Sequence, residues 1–183
     1  CHAVFLCALR GGRRVVMMYK WDVRKALELI QRERVTALSA APGMLMELME
    51  SPDFERFDTS SLSGIGGGGA ATPPRAARLF MDKVADSYPG AGWGLTETNS
   101  NGSACTGRPF REKPGTVGFL HPKVDLSIRD EEGNELPQGV PGRLWVRTPT
   151  LVSGYWNRPE ANETEFRDGW FDSGDIGYLD DDG

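Results

Sequence analysis

The first half of the chain alternates short strand-like runs with helical patterns. The predicted elements are a strand at 15–19, a helix capped by Asp22, a strand at 36–39, a helix opening at Pro42, a strand at 62–65 and a helix capped by Thr72-Pro73 that runs to about Asp86. Strands that alternate with helices in this order favour βαβ units on a parallel sheet.

The second half has a different period. After Gly115, apolar residues alternate with polar ones at Val124, Leu126 and Ile128, "DEEGN" marks a turn, and a further alternating run follows at 144–146. This pattern predicts antiparallel strands. We therefore expect an α/β subdomain over residues 1–112 and a β-rich subdomain over 113–183, each of them partial.

Composition narrows the class of protein. The chain is 39% hydrophobic and 26% charged with a net charge of −5, which excludes a disordered acidic tail and a membrane protein and argues against a nucleic-acid surface. Its three cysteines are odd in number and lack CxxC spacing, so we expect no disulfide framework, no zinc site and a cytoplasmic location. Because it starts on an apolar run and stops inside "YLDDDG", we also expect an internal fragment of a larger protein.

Two glycine-containing loops are candidates for ligand binding. Gly66–Gly69 leave a predicted strand before a helix, where bare backbone lets an anion or a flat ligand approach, although a merely flexible loop has the same composition. In "GWGLTETNSNG", Thr96 and Glu97 place a hydroxyl beside a carboxylate. This pair suits phosphate and Mg²⁺, which needs only one or two protein carboxylates. The alternative for the pair is a helix cap.

Two further residues could contact a nucleotide. Trp93 offers a flat ring for stacking, unless it is simply packed. Asp175 in "FDSGD" is a carboxylate on a glycine turn that could accept both ribose hydroxyls, unless it only forms an Asx-type turn. His2 and His121 lack a matching Ser or Cys arrangement and are interpreted as structural.

Four motifs occur in an order that resembles the adenylate-forming superfamily, which includes acyl-CoA synthetases, peptide-synthetase adenylation domains and beetle luciferases. They are "GGGGAATPP", "GWGLTET", "GRLWVRTPTLVSGYWNRPEAN" and "GWFDSGDIGYLDDDG", and they span nearly the whole chain. The segment "DVRKALELIQRERVTALSAAPGMLMELM" is similar to the acyl-CoA synthetase branch. The resemblance implies a parallel-sheet α/β subdomain followed by a distorted-barrel subdomain.

The resemblance also implies a role for individual residues. Trp93 would stack on adenine, Thr96 would contact the α-phosphate, Glu97 the Mg²⁺ ion and Asp175 both ribose hydroxyls. Gly94 is a further implied nucleotide-site residue. The remaining implied nucleotide-site residues, at the adenine edge and the start of the acyl pocket, are Gly68, Gly69, Ala70 and Ala71. Thr96 and Glu97 would be the catalytic residues.

The activity implied is that of an acyl-CoA synthetase. A carboxylic acid, fatty or otherwise bulky and hydrophobic, attacks the α-phosphorus of ATP to give an acyl-adenylate, and CoA then displaces AMP. ATP, Mg²⁺ and CoA are the implied cofactor and co-substrates. An aryl-acid or amino-acid adenylating enzyme and a non-catalytic nucleotide-binding module are the alternatives. Because the family's phosphate loop and catalytic lysine would lie outside residues 1–183, we expect the isolated fragment to be inactive.

Two residues depart from the family's pattern. Trp93 stands where tyrosine is usual, so that stacking is kept while a phenolic hydrogen bond is lost. Arg143 follows Gly142 where a glutamate is common, and the sequence offers no physical reason for that change.

Overall fold

The protein is described by a computed structural model that covers residues 2–84 and 88–183. The spatial contacts between residues divide the chain into two compact units. The first contains residues 1–92 and 104–118, and the second contains residues 93–103 and 119–183. The subdomain boundary predicted between residues 112 and 113 concerns the longer family domain and stays a prediction.

The first unit alternates helices with short strands. Its elements are α1 (His2–Arg10), α2 (Val23–Glu33), β1 (Ala37–Ala40), α3 (Pro42–Glu50), a 3₁₀ turn (Phe54–Arg56), β2 (Gly64–Gly67), α4 (Pro74–Lys83), β3 (Tyr88–Trp93), β4 (Ser103–Thr106) and α5 (Arg108–Glu112). Strands β1, β2, β3 and β4 are neighbours in that order, and the β1–β2 and β2–β3 pairs are parallel. The predicted βαβ order is therefore confirmed.

The core of this unit lies where the amphipathic helices meet the sheet. Asp22 caps α2 by accepting a hydrogen bond from the Lys25 amide at 2.7 Å, which confirms the predicted cap. The apolar side chains that recur on α2, α3 and α4 are buried together with Val84, which follows α4, namely Ala26, Leu27, Ile30, Leu45, Leu48, Met49, Ala76 and Phe80. The core therefore fixes the ends of β1 and β2, from which the glycine loop leaves.

Three details of the prediction for this unit are wrong or fall outside the structure. The run Val15–Tyr19 is irregular rather than a strand, because Met17 and Tyr19 point into solvent and the run joins no sheet among the described residues. Helix α4 begins at Pro74 after Pro73, and among the described residues no side chain caps it, so Thr72 is not its cap. The helix ends at Lys83, and Asp86 lies outside the described residues.

The second unit is built on one curled antiparallel sheet. Its elements are β5 (Phe119–Leu120), β6 (Asp125–Arg129), β7 (Gly142–Arg147), α6 (Pro159–Glu165), β8 (Phe166–Arg167) and β9 (Trp170–Gly177). The four strands β6, β7, β9 and β8 are neighbours in that order, and every pair is antiparallel. One sheet face packs Val124, Val146 and Phe171 into an apolar core.

Both parts of the predicted fold class are confirmed: a parallel α/β sheet comes first and a β-rich antiparallel part follows. Across residues 2–84 and 88–183, none of the helices has both the length and the apolar composition needed to cross a bilayer.

Candidate functional site

The loop between β3 and β4 is folded onto itself by Thr98. The hydroxyl of this completely buried residue donates to the Leu95 carbonyl at 3.1 Å and accepts from the Leu95 amide at 3.2 Å. Residues 96–100 form turns, and no helix begins there within the described chain, so the alternative of a helix cap is wrong. The fold of the loop leaves Thr96 exposed and Glu97 half-buried.

Glycine is required in this loop for a reason that the sequence did not indicate. A Cβ atom at Gly94 would lie 2.8 Å from the carbonyl oxygen of Ser100. The absence of a side chain at Gly94 thus lets the two limbs of the loop close on each other. Ligand approach was the role expected for Gly94, and that role stays a prediction.

A second segment, residues 148–155, holds the loop from outside. The Thr150 hydroxyl donates to the Thr98 carbonyl at 2.8 Å, and the Asn99 side-chain amide donates to the Thr150 carbonyl at 2.9 Å. The Val152 amide donates to the Glu97 carbonyl at 2.8 Å. Because these bonds fix both the backbone and the side chains of the loop, they limit how far Glu97 can move.

The carboxylate of Glu97 is also held by a phenol. The Tyr155 hydroxyl donates to Oε1 of Glu97 at 2.7 Å, and the Tyr155 ring packs edge-on against Phe166 with centroids 5.5 Å apart. Burial, together with the neighbouring carboxylates of Glu97 and Glu165, raises the pKa of Tyr155 above its ordinary value. Tyr155 therefore stays protonated and keeps donating at neutral pH.

Trp93 and Asp175 meet although they are far apart in sequence. The indole Nε1 of Trp93 donates to Oδ2 of Asp175 at 2.7 Å. Trp93 is half-buried against the apolar core of the second unit, whereas Asp175 is exposed. The indole N–H thus supplies a hydrogen bond at the position where the family pattern has a phenol.

The predicted site residues divide between the two units. Trp93, Gly94, Thr96, Glu97 and Asp175 all belong to the second unit. The run from Gly68 to Ala71 belongs to the first unit, where it forms an exposed loop between β2 and α4. A side chain built at Gly68 or Gly69 would meet nothing within 4 Å, so this loop is open to solvent.

The donor set near Glu97 is compatible with Mg²⁺ bound together with a phosphate. Among the described residues no cluster of three or more His, Cys, Asp or Glu side chains forms that could hold a metal by itself. Mg²⁺ takes one or two carboxylates and completes its shell with phosphate oxygens and water. Glu97 has one oxygen engaged by Tyr155. Its other oxygen is the group that would face the ion.

Several residues that shape the site were not identified from the sequence. Thr150 and Tyr155 lie in the third motif, "GRLWVRTPTLVSGYWNRPEAN", to which no individual role had been assigned. Asn101 joins them, since its side chain lies 2.6 Å from Nδ1 of His121 and 3.4 Å from Thr148 Oγ1. The contact with Asn101 agrees with the prediction that His121 is structural. The concentration of threonine, asparagine and tyrosine in the two motifs was the available signal.

Comparison with known proteins shows which family the chain matches. The family described as AMP-binding enzyme matches residues 1–156. The chain is 33% identical to 4-coumarate–CoA ligase 5 of Oryza sativa subsp. japonica, over 99% of the chain and 34% of that protein. It is 32% identical to a long-chain-fatty-acid–CoA ligase of Yersinia pestis, over 94% of the chain and 30% of that protein.

A solved structure agrees over the whole chain. The amide bond synthetase McbA from Marinactinospora thermotolerans superposes with a TM-score of 0.89 at 34% identity, covering 100% of this chain and 37% of McbA. The chain therefore spans about a third of the length of the proteins it matches.

Proposed function

The chain belongs to the AMP-binding enzyme family, and on that premise we propose that the protein it forms part of is an ATP-dependent acid–CoA ligase. It activates a carboxylic acid as an acyl-adenylate and transfers the acyl group to CoA. The observation that carries the proposal is the held carboxylate of Glu97 beside the exposed hydroxyl of Thr96, on a loop that the segment of residues 148–155 restrains.

Each side chain has one task in this proposal. Trp93 stacks on adenine, Asp175 accepts the ribose hydroxyls and Thr96 donates to an α-phosphate oxygen. Glu97 holds Mg²⁺, which supplies charge stabilisation to the phosphates when bound. The small residues Gly68, Gly69, Ala70 and Ala71 leave room at the adenine edge and the start of the acyl pocket.

No nucleophilic side chain is needed for this reaction. The acid's own oxygen attacks the α-phosphorus, pyrophosphate leaves, and the CoA thiol later displaces AMP from the acyl carbon. The protein contributes positioning and preorganised donors that stabilise the charge developing on the phosphoryl oxygens. A loop fixed in advance by Thr98 and Thr150 suits that task, because it does not have to reorganise as charge develops.

The acid that we propose first is fatty or similarly bulky and hydrophobic. An aromatic acid is the second candidate, favoured by the match to 4-coumarate–CoA ligase 5 over nearly the whole chain. The fatty-acid relative is similar to nearly the same degree, so similarity does not separate the two candidates.

ATP–pyrophosphate exchange tests the proposal in the protein that carries this chain. The assay is run with fatty acids of increasing length, 4-coumarate, benzoate and a set of amino acids. We expect exchange that depends on a fatty or aromatic acid, followed by release of AMP when CoA is added. Exchange with amino acids alone, or AMP binding without exchange for any acid, would contradict the proposed function.

A further inference from the structure

Asp175 lies on a β-bulge in strand β9. The pairing of β7 with β9 changes register between Arg143 and Trp145, so that residues 173–175 of β9 stand opposite Leu144 alone. Bulges bend a strand and redirect its side chains, and they are common beside binding sites. Whatever holds the bulge in place therefore helps to set the direction of the Asp175 carboxylate, together with the hydrogen bond from Trp93.

The bulge is held by its own side chains. Gly174 has φ of +75°, a conformation that residues with a side chain rarely adopt, and its amide donates to Oδ1 of Asp172 at 3.1 Å. The Ser173 hydroxyl accepts from the Asp175 amide at 3.1 Å and donates to the Leu144 carbonyl at 2.7 Å. Backbone groups that the sheet no longer pairs are thus satisfied, and Asp172 becomes the acceptor that orients Gly174.

Arg143 fixes Asp172 from the neighbouring strand. Its Nη2 and Nε donate to Oδ2 of Asp172 at 2.9 and 3.1 Å, and Nε also lies 3.2 Å from Oδ1. The Asp172 side chain is only 13% exposed, compared with 44% for Arg143. A planar guanidinium that contacts both oxygens of a shielded carboxylate restricts its rotation, which a single point charge would not do.

We propose that Arg143 and Asp172 are positioning residues that direct the Asp175 carboxylate toward the ribose of the bound nucleotide. The inference rests on the proposed function, because it assumes that Asp175 accepts ribose hydroxyls. The action is indirect: Arg143 orients Asp172, Asp172 orients the Gly174 amide, and the bulge presents Asp175. It also gives a physical reason for an arginine at 143, which the sequence alone did not provide.

The test compares two arginines of the same strand. Arg143→Met keeps the aliphatic stem but removes the donors, and Arg147→Met is the matched control. Arg147 pairs with Asp125 at 2.9 Å and lies over the Trp170 ring at 4.5 Å, so its partners lie outside the bulge. Calorimetry measures the Kd of AMP and of 2′,3′-dideoxy-AMP for each variant of the protein that carries this chain.

We expect Arg143→Met to weaken AMP binding about tenfold, as loss of a charge-assisted pair of this kind can do. The Kd of the dideoxy analogue should change little, because that ligand has no hydroxyls for Asp175. Arg147→Met should change neither Kd. Asp172→Asn keeps an acceptor for Gly174 and loses the ionic pair, so it should cause a smaller loss that again affects AMP alone. If Arg143→Met does not fold, the Kd values of the two nucleotides for Asp172→Asn test the proposal in its place.

Two results would overturn the inference while leaving the proposed function intact. One is an equal loss of AMP and dideoxy-AMP in Arg143→Met, and the other is the same selective loss in Arg147→Met. If the unaltered protein binds neither nucleotide, the proposed function itself fails. The two failures are thus distinguished within one set of titrations.

Discussion

The hydrogen bond from Tyr155 to Glu97 offers a direct measure of how firmly the site is held. Tyr155→Phe removes the donor but keeps the ring that packs against Phe166. The substitution leaves one oxygen of a half-buried carboxylate without its phenolic partner. Its cost therefore reports the hydrogen bond rather than a cavity.

The structure allows the size of this effect to be worked out. Hydrogen bonds to charged groups contribute about 1.5–3 kcal/mol when well shielded. Because Tyr155 and Glu97 are both partly exposed, water compensates some of the loss, and we expect about 1–2 kcal/mol. Urea denaturation followed by circular dichroism gives this difference. Tyr178→Phe is the control, since Tyr178 is 60% exposed and should change the free energy of unfolding by less than ~0.5 kcal/mol.

The Tyr155–Glu97 pair should also make the stability of the protein fall at alkaline pH. The folded protein raises the pKa of Tyr155 above its unfolded value of about 10. Stability from the protonated phenol is therefore fully present below about pH 10 and is lost as the pH rises toward the folded pKa. The unaltered protein should therefore lose stability more steeply than Tyr155→Phe as the pH rises above about 10. If the two proteins have parallel alkaline profiles and equal stability at pH 7, the Tyr155–Glu97 bond does not hold the site.

Other substitutions test the metal role and the loop. Glu97→Gln should reduce ATP–pyrophosphate exchange on the order of 100-fold, and unchanged exchange would mean that Glu97 does not hold the metal. Thr98→Val should cost about 1–3 kcal/mol in urea denaturation, because its completely buried hydroxyl makes two hydrogen bonds within the loop between β3 and β4. A cost near zero would contradict the role of Thr98 in folding that loop. Gly102→Ala should lower the melting temperature and perturb the Trp93 fluorescence, since the new Cβ would lie 2.2 Å from the Trp93 carbonyl. Gly43 has open space around it and no positive φ, so Gly43→Ala is the steric control, and equal effects at both positions would argue against a crowded Gly102.

Local sequence rules predicted the helices of the first unit well, because their signals are local. Asp22 caps α2 by accepting from the amide of Lys25, only three residues later in the chain. The apolar spacing of α2 matches the face that the helix buries. The strands were less accurate. β2 includes Gly66 and Gly67, which a propensity argument assigned to the following loop. Pairing with β1 and β3 overrides the weak preference of glycine for strands.

The site was predicted residue by residue, but its connections were not. Asp175 was identified as a carboxylate on a glycine turn, yet its partner Trp93 lies 82 residues earlier. Tyr155 lies 58 residues after Glu97. Such contacts depend on how the strands pair and where the bulge falls, and no local pattern encodes them. Motif order could show that these segments belong to one family, whereas the bonds between them required the folded backbone.

The two departures from the family pattern act on the same short segment. Trp93 replaces a tyrosine, and its indole N–H contacts the carboxylate of Asp175. Arg143 replaces a glutamate, and its guanidinium holds Asp172. Asp172 lies three residues before Asp175 on strand β9. A glutamate at 143 would repel Asp172, whereas the arginine at 143 attracts it. Arg143 thus restrains the bulge through Asp172, and Trp93 restrains it through Asp175. It follows that Trp93→Phe, like Arg143→Met, is expected to weaken the binding of AMP more than that of dideoxy-AMP. Trp93→Phe keeps a ring for adenine, so an equal loss for both ligands would assign Trp93 to stacking alone.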